Sequence, residues 1–224
     1  MASYPSTVLS QTRSSALSTN KVLCNTYLLL GATLAFSALT AGLAMMFNMP
    51  FLGPWVTLIG YFGLLFGVYA TKNSAWGLVL VFALTGFLGL TLGPIVNAYL
   101  TILPNGSEVV TTALGITAAT FVGLSAYAVK SERDFSFMRG FLMVGVIGAF
   151  LVGLVAVIFD LSTVSLVVSG AFVILMGGMI LYQTSEIVHG GETNYILATV
   201  TLYVSIYNLF TSLLHLLGAA SGDD

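Results

Sequence analysis

Seven long runs of apolar residues succeed one another along the chain, and they decide what it can become. The runs cover 22–46, 51–70, 75–100, 109–129, 138–158, 163–181 and 195–218. Each suffices for a helix through a hydrocarbon core of ~30 Å, which takes about 20 residues. A bilayer offers the backbone no hydrogen-bond partners, so a spanning segment is a helix or part of a closed barrel. The two-residue alternation of a barrel strand is absent from these runs. The sequence therefore predicts an all-α polytopic membrane protein of seven transmembrane helices. Its narrowest boundary lies between the fifth and sixth runs, where Asp160, Leu161 and Ser162 must make the turn.

Composition supports this and excludes other classes. Only 6% of the 224 residues are charged, six Lys or Arg and eight Asp or Glu. A soluble domain needs roughly 25% to wet its surface. No basic stripe exists to neutralise phosphates, which removes a nucleic-acid partner. One cysteine excludes an intramolecular disulfide and any multi-cysteine zinc site.

The charges also orient the chain. Arg13 and Lys21 precede the first run, Lys72 follows the second, and Lys130, Arg133 and Arg139 flank the connection from fourth to fifth. With seven spans all six bases fall on one side, while Glu108, Asp160, Asp223 and Asp224 fall on the other. The positive-inside rule then predicts a cytoplasmic N-terminus and a C-terminus on the far side. Residues 1–21 are polar and rich in Ser and Thr, and read as a cytosolic, disordered tail. They lack the basic start and short apolar core of a signal peptide; Ala38, Ala41 and Ala44 imitate a cleavage site, but after too long an apolar run. Residues 22–218 form the transmembrane domain, and 219–224 a short acidic tail on the non-cytoplasmic side.

Twenty-four glycines supply the small-residue surfaces by which membrane helices approach closely. Gly63 with Gly67, and Gly89 with Gly93, make GxxxG pairs; Gly145, Gly148 and Gly153 line the fifth run. Pro94 follows Gly93 and removes a backbone donor in mid-helix, so a kink is expected there, as a structural bend or as a hinge.

The last run differs from the rest. Asn194, Thr201, Asn208 and His215 recur every seven residues, with Ser205 and Ser212 between them. That spacing puts them on one helical face, which should meet other helices or water rather than lipid. The seventh helix is therefore expected in the interior. Its stripe reads either as interhelical hydrogen bonding or as the wall of an ion or proton path.

Catalytic and metal motifs are weak. Glu186 and His189 make a single Glu-x-x-His, whereas di-metal bundles need two copies and further carboxylates. His189 instead suits the last turn of the sixth helix, with Gly190 as its C-cap and Thr193 as the N-cap of the seventh. Ser125 follows Gly123-Leu124 but precedes Ala126, so the nucleophile elbow is incomplete. Cys24 reads as a small buried hydrophobe. No catalytic residue, metal site or cofactor is expected.

Three stretches carry a family likeness: LSTNKVLCNTYLLL from Leu17, TGFLGLTLGPIVNAYL from Thr85 and HGGETNYILATVTLYVSIYNLFTSLLHLLG from His189. Together and in this order they resemble the Bax-inhibitor family of seven-helix membrane proteins, and within it the bacterial members that modulate the membrane protease FtsH. The resemblance implies six helices around a central seventh and a non-enzymatic role in the plasma (inner) membrane. It implies FtsH, with its membrane regulators, as the partner, and a chain that is itself a substrate gripped by its N-terminal tail. ATP and zinc would belong to FtsH. Other family members are pH-sensitive calcium leaks that use a carboxylate pair on helices six and seven. The matching positions here are Gln183 and Ser205, neither of which ionises, so a cation leak is the rival reading and Glu186 its one nearby acid.

Overall fold

The computed structural model describes residues 6–131 and 133–222, with side chains from Asn20 onward. Seven α-helices follow one another: α1 Ser6–Met46, α2 Gly53–Thr71, α3 Ala75–Ile102, α4 Gly106–Ser131, α5 Arg139–Ile158, α6 Ser162–Val188 and α7 Tyr195–Gly222. One 3-10 turn, Ser136–Met138, leads into α5. All seven are long and apolar enough to cross a membrane, and the span within α1 is Asn20–Met46.

The helix ends follow from local chemistry. Asn48 and Asp160 hold positive φ angles of 48° and 52°, and Gly190 one of 75°. Small polar residues and glycine tolerate this left-handed conformation at low cost. In each case the next residue's N–H reaches back to a carbonyl five positions earlier. Met49 donates to Ala44 at 2.9 Å, Leu161 to Ala156 at 2.9 Å and Gly191 to Glu186 at 2.8 Å. These close α1, α5 and α6 with the same reversed cap. Phe159, Asp160 and Leu161 make the turn between α5 and α6, with the left-handed residue at Asp160.

Two expected boundaries move. The helix of α1 runs back to Ser6, where the sequence suggests a disordered tail from 1 to 21. No proline or glycine between Ser6 and Asn20 interrupts it. Residues 1–5 lie outside the described residues. At the other end α7 continues to Gly222, so 219–222 extend the helix, while Asp223 and Asp224 lie outside the described residues.

α7 is the core of the bundle. In its most apolar stretch 61% of residues are buried, against 6% in α2 and 11% in the α5 span. Its close neighbours are α1, α3, α4 and α6. Leu202, Tyr203, Leu209 and Leu214 on α7 are among the largest fully buried side chains. Phe66, Val144 and Ile174 on α2, α5 and α6 are more than two-thirds exposed, as a lipid-facing surface requires.

The α1–α3 seam is the most extensive helix contact, and glycine makes it. A Cβ on Gly93 would lie 2.6 Å from both the Ala41 carbonyl oxygen and the Ala44 Cβ. One on Gly89 would collide with the Ser37 carbonyl and the Thr40 hydroxyl, and one on Gly86 would stand 2.7 Å from the Phe36 ring. The Gly89/Gly93 pair thus lets two backbones touch. Pro94 lies inside α3, which stays helical through it, next to Gly93 of the packing seam.

The other glycine surfaces are less uniform than their spacing suggests. Gly67 would meet Leu80 at 3.1 Å, but nothing lies within 4 Å of a Cβ on Gly63 or Gly148. Gly145 packs on Leu175 and Gly153 on Val168. Spacing finds the small residues of a helix but not which of them face a neighbour.

Gly89→Val should therefore destabilise the bundle by about 1–3 kcal/mol, the usual range for overpacking. Gly63→Ala should be neutral. Thermal unfolding of both variants in mild detergent measures the difference.

Candidate functional site

The polar residues of α7 divide into groups with different tasks. Asn194 caps the helix: its Oδ1 accepts from the backbone N–H of Ile196 at 3.0 Å and of Leu197 at 3.2 Å. Its amide group donates to the Lys72 carbonyl at 3.1 Å and to Asn73 Oδ1 at 3.0 Å. Asn194, rather than Thr193, is thus the N-cap, and it ties the start of α7 to the α2–α3 connection. At the opposite end of α7, His215 Nδ1 lies 2.8 Å from Ser169 Oγ of α6. Ser169 donates its own proton to the Ser165 carbonyl, which leaves the His215 nitrogen as the donor in that contact.

Thr201, Ser205 and Asn208, in the middle of α7, line a cavity of about 430 Å³ walled by α2, α3, α5, α6 and α7. Ser205 and Asn208 donate within their own helix. Ser205 donates to the Thr201 carbonyl at 2.8 Å and Asn208 to the Val204 carbonyl at 2.8 Å. Ser212 is buried. The sevenfold stripe is therefore a cap, a cavity wall and one cross-bundle bond in succession.

A second polar face went unnoticed in the sequence. Thr199, Tyr203 and Tyr207 recur every four residues and face α1 and α3. The Tyr203 hydroxyl lies 2.6 Å from Ser37 Oγ and donates to the Thr85 carbonyl at 3.2 Å. Tyr207 approaches Thr91 Oγ1 at 3.3 Å, and Thr199 donates to the Thr26 carbonyl at 3.3 Å and to Tyr195 at 2.7 Å. Tyrosines count as hydrophobic in a composition scan, so their hydroxyls are easily missed. The interval of four was the available signal.

The positions matching the family's carboxylate pair separate in environment. Ser205 borders the cavity; Gln183 does not. The Gln183 side chain is buried, and its Nε2 has no hydrogen-bond partner. Glu186 lies at the end of α6, beside Gly191, whose added Cβ would stand 2.7 Å from Glu186 Oε2. It too is outside the cavity lining. The cavity is thus lined by apolar, aromatic, hydroxyl and amide groups, without a carboxylate or a base.

Other residues find structural partners. Ser125 Oγ stands 3.5 Å from Thr184 Oγ1, which is 3.3 Å from the Tyr27 hydroxyl, so a run of hydroxyls links α4, α6 and α1. His189 Nδ1 is 2.9 Å from the Ser185 carbonyl. Ser185 Oγ donates to the Arg133 carbonyl at 3.2 Å and accepts from the Phe135 N–H at 3.1 Å. This holds the α4–α5 connection against α6. In that connection Asp134 Oδ1 accepts from the Ser136 N–H at 2.8 Å, which holds the carboxyl below the usual carboxylate range. Cys24 is exposed rather than buried: it lies two residues from fully buried Thr26, toward the outer face of α1.

Fold and site together define a multi-pass membrane protein whose last helix is its core and whose cavity lies against that helix. The chain belongs to the Bax-inhibitor family: residues 19–222 match the family described as Inhibitor of apoptosis-promoting Bax1. It is 53% identical over 206 residues to an uncharacterised protein of Pseudomonas aeruginosa, covering 91% of each chain. It is 50% identical over 215 residues to the modulator of FtsH protease YccA of Escherichia coli, covering 96% of this chain and 97% of that one. An uncharacterised membrane protein of Vibrio cholerae is 44% identical over 209 residues, 93% of each.

If the Tyr203 contacts hold α7 to its neighbours, a double-mutant cycle of Tyr203→Phe with Ser37→Ala should give a coupling of about 0.6 kcal/mol, the average for interhelical bonds in bilayers. Additive effects would show that the two hydroxyls do not interact.

Proposed function

We propose that this chain binds the membrane protease FtsH and restrains its degradation of other membrane proteins, while being itself a slowly processed substrate. One observation carries the reading: half of all residues are identical to the Escherichia coli modulator of FtsH across nearly the whole of both chains. The likeness extends over 96% of this chain. The setting is the inner membrane, with the basic end, Lys21, Lys72, Lys130, Arg133 and Arg139, on the cytosolic side.

Residues 1–20 are the proposed handle. A processive unfoldase needs a segment it can engage before it meets resistance. A polar helical segment outside the bilayer unwinds at small cost, whereas the glycine-sealed α1–α3 seam and the buried α7 resist extraction. Slow extraction keeps the protease occupied.

The cation-leak reading is weaker on this chain. A proton-switched pair needs two close acids, and Gln183 and Ser205 supply none. Glu186 stands apart from the cavity. Liposomes carrying this protein and a calcium dye should show no pH-dependent flux between mildly acidic and neutral pH; flux lost in Glu186→Gln would reverse the order of the readings.

Affinity capture from native membranes in mild detergent should recover FtsH with this protein. Overproduction should lengthen the lifetimes of other FtsH substrates. Deletion of residues 2–20 should slow turnover of the chain while leaving its detergent elution profile unchanged. Unaltered turnover would contradict the handle.

A further inference from the structure

The cavity against α7 has a feature that the protease-modulator reading does not use: it borders the bilayer. Tyr69 of α2 and Ile147 of α5 both line it and are 49% and 54% exposed, so the wall between these two helices is thin. Across this gap Phe62 and Phe150 meet edge to face, ring centroids 5.8 Å apart. α2 is also the least buried span of the bundle. Displacement of one aromatic ring would therefore join the cavity to lipid without unpacking α7.

The lining specifies the guest. The volume of about 430 Å³ falls within the ~300–1,000 Å³ of ordinary small-molecule sites. Its walls are mainly aliphatic and aromatic, and it presents no ionised group, so a charged guest would lose hydration without compensation. Polar side chains enter from two walls, Thr57, Tyr61 and Tyr69 from α2 and Thr201, Ser205, Tyr207 and Asn208 from α7. Ser205 and Asn208 each donate inward to α7 carbonyls, which leaves the Ser205 oxygen lone pairs, the Asn208 carbonyl oxygen and its second N–H for a ligand. These positions lie near the middle of Tyr195–Gly222, so the head group that meets them sits deep in the membrane.

The geometry points to a binding site for an uncharged, single-chain lipid that carries a hydroxyl head, admitted laterally from the bilayer between α2 and α5. The hydroxyl meets Asn208 and Ser205, and the chain lies along the apolar wall toward Phe62 and Phe150. The site stands independently of any protease contact.

The test uses the full chain in vesicles of phosphatidylethanolamine and phosphatidylglycerol, with a 1-oleoylglycerol probe carrying a diazirine in its chain. After irradiation, labelled peptides are identified by mass spectrometry. Labelling should concentrate on cavity segments around Leu65, Val146 and Met176, and unlabelled oleyl alcohol should compete. Met176→Trp, which fills the space, should abolish that labelling. Asn208→Leu should weaken probe affinity about threefold, the equivalent of one hydrogen bond in a bilayer. Label spread over outward residues such as Val144 and Ile174, unaffected by either variant, would overturn the proposal. A second measurement addresses water. In a Cys24→Ser background, Asn208→Cys should resist a membrane-impermeant maleimide; rapid modification would show an aqueous vestibule and overturn the lipid site.

Discussion

A bilayer supplies no hydrogen-bond partners, and everything in this bundle follows from where its polar groups are therefore obliged to go. α7 carries two rows of them. Two faces of that helix are polar, so it cannot stand at the lipid boundary; α1, α3, α4 and α6 pack against it, while α2 and α5 stand off across the cavity instead of completing the expected ring of six. The face with Thr199, Tyr203 and Tyr207 bonds to α1 and α3. The other is satisfied by its own helix around the cavity and by α6 at His215. The α1–α3 seam completes the enclosure: with glycine at 86, 89 and 93, the two helices approach until a single Cβ would not fit.

The architecture was legible in the sequence because the bilayer makes length and polarity nearly sufficient. Seven apolar runs gave seven helices, and the stripe from Asn194 to His215 located the core helix. What remained hidden was direction within a face. Periodicity placed Thr201, Ser205 and Asn208 together but did not show that α2 and α5 stand off from them and leave a cavity. Gly63 and Gly148 had the spacing of packing residues and face open space, because spacing does not encode which neighbour a surface meets. Cys24 illustrates the same limit: it is apolar enough for a core and lies on the outside. α1 starts at Ser6 although its first residues are polar enough to suggest disorder, because nothing in that segment breaks a helix.

Membership of the Bax-inhibitor family rests on likeness along almost the whole chain, and the FtsH reading on one of its relatives. The chemistry of the interior is a separate matter. An interior without carboxylates near the cavity suits protein binding or an uncharged guest better than ion passage. The same constraint that hides the polar groups of α7 makes that interior costly for a cation.

The claim on which the account turns is that α7 is sheltered by the other helices in a real membrane. Nitroxide labels placed singly at Thr199, Ile206 and Phe210, in a Cys24→Ser background, test it through their collision rates with oxygen and with a water-soluble nickel chelate. The account predicts low collision with both reagents at all three positions, and high oxygen collision at Val144 and Ile174. Oxygen collision on α7 equal to that at Val144 would place the helix against lipid and contradict the structure described here.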